Sequence, residues 1–498
     1  MTQERIGYTF GPLERRGLLG PLRAGQAACL GGGALLAMGA LDRWPTAGGA
    51  ILATLVFGLA VALAVWPLGR RTLEEWLPVA AAFLWRRSLR RTRFRSGLPA
   101  AGSLARGLRN GQPLIRSPAP APPPALRGIR ILSAQYGERP VGVISTQEGR
   151  RLAAILACRV IAFSLLDPEA QERRLARWGL VLSGAAGTPI RRIQWVERTA
   201  PAAGDELAHW LAAEHDPDVP LRGTPMIESY LELIGTTARV AQDHEILLAV
   251  EVDARRVRER GVNAATASLL AQTERVAQGL EAAEVRVLGA LAPGQVAHAL
   301  RTAFDPYAAS ELASLQTADP DRRGLAEEGA WPLGAHETWE HYRSDGAVHA
   351  TYWIGAWPRV EVSPMFMDAL LGHSGVVRTV AVTFEPIPIE RSTRDVEAAI
   401  TRDRADRELR HRFGQSETAR QRQAEEAAMR RESELAAGHG EVRLAGFVTV
   451  TGRDIADLDR ACARVHEQAA RARLELHRMY GQQADAFTFT LPLCRGLR

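Results

Sequence analysis

"RPVGVISTQEGRRLAAILACRV", residues 139–160, is the stretch on which the fold of this chain turns. Its first seven residues read as a strand. Ser145, with Glu148 three residues on, has the form of a capping box and predicts a helix through "RRLAAILACRV". A strand feeding a helix is the unit of an α/β architecture.

Working outward, the alternation continues. "IAFSLL" (161–166) reads as the next strand, and Asp167-Pro168 supplies a cap and a first-turn proline for the helix "EAQERRLARWGLVL". "IRRIQWVER" (190–198) is a strand with Ile190, Ile193, Trp195 and Val196 as its apolar positions, "GTPMIESYLELIGTTARVAQ" (223–242) a helix, and "HEILLAVEVD" (244–253) a strand. Asn263 opens a long helix, "VRVLGAL" (285–291) is a strand, and a further helix follows Pro293. The expected class is α/β (α+β): open sandwich units forming a subdomain over 129–330.

A second α/β subdomain is expected over 331–498. Residues 331–363 are strand-rich with four tryptophans. Residues 393–437 are mostly Arg, Glu and Ala, and predict a projecting charged helical arm, bent near Gly414. "EVRLAGFVTVTG" (441–452), a helix through 453–476 and "DAFTFTLPL" (485–493) form a closing strand–helix–strand unit. In its last member Phe487, Phe489 and Leu491 alternate with Thr488 and Thr490.

Upstream the chemistry changes. "AGQAACLGGGALLAMGAL" (24–41) and "AILATLVFGLAVALAVWPLG" (50–69) carry no charge over 18 and 20 residues. Each is long enough to cross a hydrocarbon layer of about 30 Å at about 1.5 Å per residue. Only a short turn separates them, which predicts a transmembrane helical hairpin. Small residues fall four apart at Ala28/Gly32, Gly33/Ala37 and Gly58/Ala62, a spacing that permits close helix approach. Arg5, Arg15, Arg16 and Arg23 precede the hairpin and eight arginines lie between Arg70 and Arg95. The positive-inside rule then places both ends and the body in the cytoplasm. In residues 72–96, Trp76, Leu77, Ala80, Leu84 and Leu89 are expected to share one side of an amphipathic helix on the anionic inner leaflet. Residues 1–95 thus read as a membrane module. Residues 96–128, with "SPAPAPPPA" at 117–125, read as an extended proline-rich linker tethering it to the body.

Composition closes several routes to function. All 62 basic residues are arginine, so no P-loop lysine, Schiff-base lysine or lysine base is available. The first 128 residues carry a net charge of +12 against +6 for the whole chain, so the body is acidic and presents no broad phosphate-neutralising surface; direct nucleic-acid binding is not indicated. Cys29, Cys158, Cys462 and Cys494 have neither zinc nor disulfide spacing and read as free thiols of a reducing compartment. The histidines of "HETWEH" (336–341) are five apart, not the four of a metal-binding helix. No catalytic, cofactor or metal residues are therefore assigned, and no cofactor is expected. A non-enzymatic scaffold is the expectation; a membrane-anchored ligand sensor or enzyme with a site assembled from distant residues is the alternative.

Several stretches together resemble a known family: "GPLERRGLLGPLRAGQ" (11–26), "GRRTLEEWLPVAAAFLWRR" (69–87), "VGVISTQEGRRLAAIL" (141–156), "IRRIQWVERT" (190–199), "SYLELIGTTARVAQDHEILLAV" (229–250), the insertion at 393–437 and "YGQQADAFTFTLPL" (480–493). They are similar to actinobacterial membrane proteins of type IV-secretion-like and conjugation machinery. The chain resembles a fusion of the small two-span inner-membrane subunit with the N-terminal, non-motor domain of the secretion ATPase. That resemblance implies a structural subunit of the plasma membrane, docking a separate secretion ATPase and a polytopic channel subunit, with self-association as a further possibility. The motor domain is absent, so no nucleotide-binding residues carry over.

Overall fold

The computed structural model describes residues 24–68, 71–96, 122–160, 163–201, 242–259, 261–309, 327–372, 375–398 and 440–497, with a few helical residues between 225 and 232 and at 401, 429 and 433–435. The chain divides into two compact units. One comprises Gly11–Thr92 with Glu397–Ala428, the other the rest of the chain.

In the first unit, α1 (Ala24–Arg43) and α2 (Ala47–Val65) form the expected hairpin. Thr46 caps α2 by accepting a hydrogen bond from the Gly49 amide. Two-residue strands β1 (Pro67–Leu68) and β2 (Arg71–Thr72) pair and reverse the chain into α3 (Leu73–Ser88).

The second unit is built on one 13-stranded sheet in which every pairing is antiparallel. Its strands are β3 (Arg93–Arg95), β4 (Arg130–Tyr136), β5 (Arg139–Thr146), β6 (Arg151–Arg159), β7 (Ile190–Pro201), β8 (Gln242–Asp253), β9 (Arg286–Ala290), β10 (Gly334–Glu337), β11 (Tyr342–Ser344), β12 (Ala347–Ala356), β13 (Val377–Ile387), β14 (Glu441–Gly452) and β15 (Glu475–Arg478). The order is β3-β10-β11-β12-β14-β13-β7-β8-β6-β5-β4, with β15 added beside β12 and β9 beside β6. The mixed α+β class holds. The alternation is realised through antiparallel strands, and strands from both sides of residue 330 belong to the one sheet.

The decisive stretch departs from its sequence reading. Residues 150–160 are not a helix: β5 and β6 form a hairpin in which Thr146 faces Arg151. Gln147, Glu148 and Gly149 all take positive φ in its turn, so Ser145 and Glu148 cap nothing. β6 is flanked by β8 on one side and by β5 and β9 on the other, and both of its faces are buried. A strand buried on both faces needs no polar alternation, so its continuous Leu-Ala-Ala-Ile-Leu-Ala run carries no period-two signal. The second departure is small: residues 163–165 form a 3₁₀ turn, not a strand. The third is the end of the chain. Residues 485–493 hold no strand, because α8 (Gln483–Phe487) gives way to a string of tight turns in which the amides of Thr488, Phe489 and Thr490 each donate three residues back.

Other elements follow expectation. Asp167 accepts from the Ala170 amide and opens α4 (Pro168–Gly184). α5 (Val262–Ala282), α6 (Pro293–Phe304) and α7 (Ile455–Arg471) also stand where predicted. α7 ends before Glu475 because β15 is claimed by β12. Most of residues 223–241 and of the arm at 393–437 lie outside the described residues; a helix covers 389–398.

Helices cover both faces of the sheet. Paired residues of antiparallel strands point the same way. Phe384 opposite Ile193 joins the α4/α5 core, and Val380, on the same face of β13, joins the α7 core, so both cores lie on one face. Ala381 opposite Val196 belongs to the other face, covered by α6 and the C-terminal segment.

Candidate functional site

The hairpin is apolar where it has no protein neighbour. Leu35, Leu36, Met38, Ile51, Leu55, Leu59 and Val65 are exposed, and both helices are long and apolar enough to cross a membrane. Exposed leucines in such numbers are costly in water and natural in lipid. The helices touch through small residues: Gly49, Ala53, Ala60 and Ala64 are the buried positions of α2, and a Cβ on Gly33 would lie 2.2 Å from that of Ala60. Of the small-residue pairs singled out above, Gly33 sits at the contact; Gly32 and Gly58 face open space. The Gln26 side chain donates to the Ala64 carbonyl at 2.9 Å, tying the two helices.

The stretch after the hairpin was expected to stay with the membrane as far as residue 95. Arg93–Arg95 instead form the edge strand of the body's sheet, paired with β10, and the Ser96 amide donates to the Leu333 carbonyl. The chain therefore enters the body before the proline-rich segment begins. The far end of that segment is docked as well: Pro123 and Leu126 are buried, and Arg495 donates to the Ala125 carbonyl.

The body's most unusual feature is a polar rack on the α6 face. Gln194, fully buried, donates from Nε2 to the Phe489 carbonyl at 2.8 Å and accepts from the Cys494 amide at 2.7 Å. Arg192 donates to the carbonyls of Cys494, at 3.2 Å, and Leu497. Thr383 donates to the Arg495 carbonyl, Thr449 and Thr490 share a hydrogen bond, and Glu337 accepts from the Ala484 amide. Gln483 reaches into β12, accepting from the Thr351 amide and donating to its carbonyl. Side chains of β7, β10 and β13 thus do for the C-terminal segment what a partner strand would otherwise do, satisfying backbone groups shut away from water, while Thr449 of β14 holds the Thr490 side chain. Phe487, Leu491 and Leu493 supply the apolar anchors. The "IRRIQWVER" pattern already alternated Arg192 and Gln194 with Ile193 and Trp195, and such polar positions normally mark a solvent face.

Charged groups beside the rack are shifted by burial. A bulge between Ile190 and Arg192 brings Arg191 to 3.5 Å from both Glu251 and Asp253. Burial pushes the Glu251 carboxyl up to about 7 against the pull of Arg192, Arg151 and Arg191. On the opposite face burial also raises Glu197 to about 7, against the pull of Arg378. His349, fully buried among Ser344, Thr451 and the Phe304 carbonyl, is driven down to about 4 and stays neutral. It is sealed from solvent, so its contact with Ser344 is a structural hydrogen bond. Among the described residues no three His, Cys, Asp or Glu side chains converge as a metal site; His336 and His341 lie in and beside the β10–β11 hairpin. A cleft of about 360 Å³ lined by Arg343, Val348, Asp454, Ile455 and Ala456 brings together no nucleophile and base. This geometry is suited to holding shape and presenting surface.

Residues 240–354 match one family model: "Putative type VII ESX secretion system translocon, EccE". The match runs from β8 through β12, less than a quarter of the chain. No curated protein matches the sequence. The chain thus joins two helices long and apolar enough to cross a membrane to a segment similar to a secretion-system translocon protein. The match also corrects the system expected from the sequence: the similarity is to type VII ESX machinery, and nothing supports type IV secretion, conjugation or a fusion of two type IV subunits.

Proposed function

We propose that this chain is a non-catalytic structural subunit of a type VII-like secretion translocon in the inner membrane. The hairpin anchors it, both termini face the cytoplasm, and the body is a platform on which a separate secretion ATPase and a polytopic channel subunit dock. The observation that carries the reading is a pair of lipid-compatible helices on the same chain as a sheet whose β8–β12 region is similar to a translocon protein. The body is in keeping with it: among the described residues, a sheet covered by helices on both faces spends buried polar side chains such as Gln194 and Gln483 on its own backbone.

The test is purification of the full chain from its native membrane in mild detergent. Co-migration in a large assembly with a P-loop ATPase and a multispan protein is the expected result. Recovery only as a free monomer, from membranes where those proteins are intact, overturns the proposal. Topology is checked separately by impermeant labelling of cysteines placed in the α1–α2 turn, which react from outside if the termini are cytoplasmic.

A further inference from the structure

α3 has two unlike sides. Trp76, Val79, Ala80 and Arg86 are half-buried and Phe83 is buried, so this side is turned into its own unit. Its N-terminal turn meets the hairpin at Gly25, whose Cβ position would fall 2.4 Å from a Glu74 carboxylate oxygen. The opposite side carries Leu77, Pro78, Ala81, Ala82, Leu84, Trp85, Ser88 and Leu89, all exposed and none charged. Leu84 is 61% exposed and Trp85 67%. This divides the stripe expected from sequence: Leu77, Leu84 and Leu89 share the exposed side with Trp85, whereas Trp76 and Ala80 do not. Exposed Arg87, Arg90 and Arg91 flank its C-terminal end.

We propose that this exposed side of α3 is a lipid-contact surface, seated at the headgroup–acyl boundary of an anionic leaflet. Three observations commit it to lipid over a protein groove. α3 starts eight residues after α2 ends, across a paired turn, and lies against the hairpin at Gly25, so its exposed apolar side belongs to the same unit as the hairpin's exposed apolar residues. A tryptophan with neighbouring leucines is the composition of a membrane interface. The flanking arginines match anionic headgroups. The proposal stands whether or not the secretion reading holds.

The experiment uses the full chain with Cys29 replaced by Ala; Cys158, Cys462 and Cys494 are buried, and a brief labelling pulse favours the exposed sites. Spin labels at Leu84→Cys, Trp85→Cys and Arg87→Cys are compared in phosphatidylglycerol and phosphatidylcholine nanodiscs, using oxygen as the apolar relaxant and a nickel chelate as the aqueous one. The expected result is a several-fold higher oxygen-to-nickel accessibility ratio at 84 and 85 than at 87, rising further in the anionic discs. Free nickel access at 84 and 85 would mean a water-exposed face. Exclusion of both relaxants, with immobilised spectra, would mean a protein partner covers it. Either outcome at both sites overturns the proposal, and two independent label positions guard against one misfolded variant.

Discussion

Replacing Gln194 by leucine tests whether the polar rack holds the C-terminal segment. Gln194 is sealed from solvent and serves two backbone groups at once, the Phe489 carbonyl and the Cys494 amide. Leucine has similar volume and neither donor nor acceptor, so both groups are stranded in the interior. Each stranded group costs about 1–3 kcal/mol, or about 2–6 kcal/mol together if they do not find new partners. Taking the lower bound, a loss of about 2 kcal/mol multiplies the open population of the segment about thirtyfold. Cys494 supplies the readout: it is fully buried, and its thiol donates to the Ala249 carbonyl at 3.5 Å. Its maleimide labelling rate under native conditions, read by mass spectrometry of the C-terminal peptide, reports local opening when reclosing outpaces modification. Cys462, on α7 in the core of the opposite face, is the internal control. The expected result for Q194L is faster labelling at Cys494 with little change at Cys462. Thr383→Val, which strands only the Arg495 carbonyl, should give a smaller increase. Equal acceleration at both cysteines would mean global destabilisation. Wild-type labelling in Q194L would refute the rack as what holds the segment.

Other outcomes follow from the same structure. Glu148 sits at φ 57° in the β5–β6 turn, so Glu148→Gly relieves about 1 kcal/mol of left-handed strain; it should leave the urea midpoint unchanged or raised, whereas a helix cap would have lowered it. Glu251 and Glu197 hold their protons to about 7, from 4.5 in the unfolded chain. The folded state therefore binds more protons across that window, and stability falls as pH rises through it, by about 3 kcal/mol per group as an upper order. Denaturation at about pH 5 should thus lie above that at about pH 8, and Glu251→Gln should flatten the slope. Gly33→Ile drives a side chain into Ala60 and should cost about 1–3 kcal/mol, seen as a lower melting midpoint in detergent, while Gly32→Ile, facing open space, is tolerated.

The sequence was most legible where local chemistry alone decides. Two uncharged runs of membrane length require no tertiary information, since the solvent that suits them is set by their own side chains. The Asp167-Pro168 start and the long helix from Val262 were equally plain, because caps and helical periodicity act within a few residues. Even the absence of lysine, which removes whole classes of catalysis, is a statement about composition.

Tertiary structure decided the rest. Leu152, Ala153, Ile155 and Leu156 are compatible with either a helix or a buried strand, and β8, β5 and β9 chose the strand by supplying hydrogen-bond partners on both edges. Arg93–Arg95 looked like more of the membrane-proximal arginine run until a distant edge, β10, claimed their backbone. Phe487–Leu491 alternate as a strand would. Yet Thr490 is turned to Thr449 and the backbone carbonyl of Phe489 is taken by Gln194, while Thr488 bonds back to the Asp485 carbonyl within its own turn. An apolar run or a cap carries its physical cause in its own residues. The pairing of a strand edge, or the burial of a glutamine beneath a chain end some three hundred residues away, exists only once the distant partner is in place.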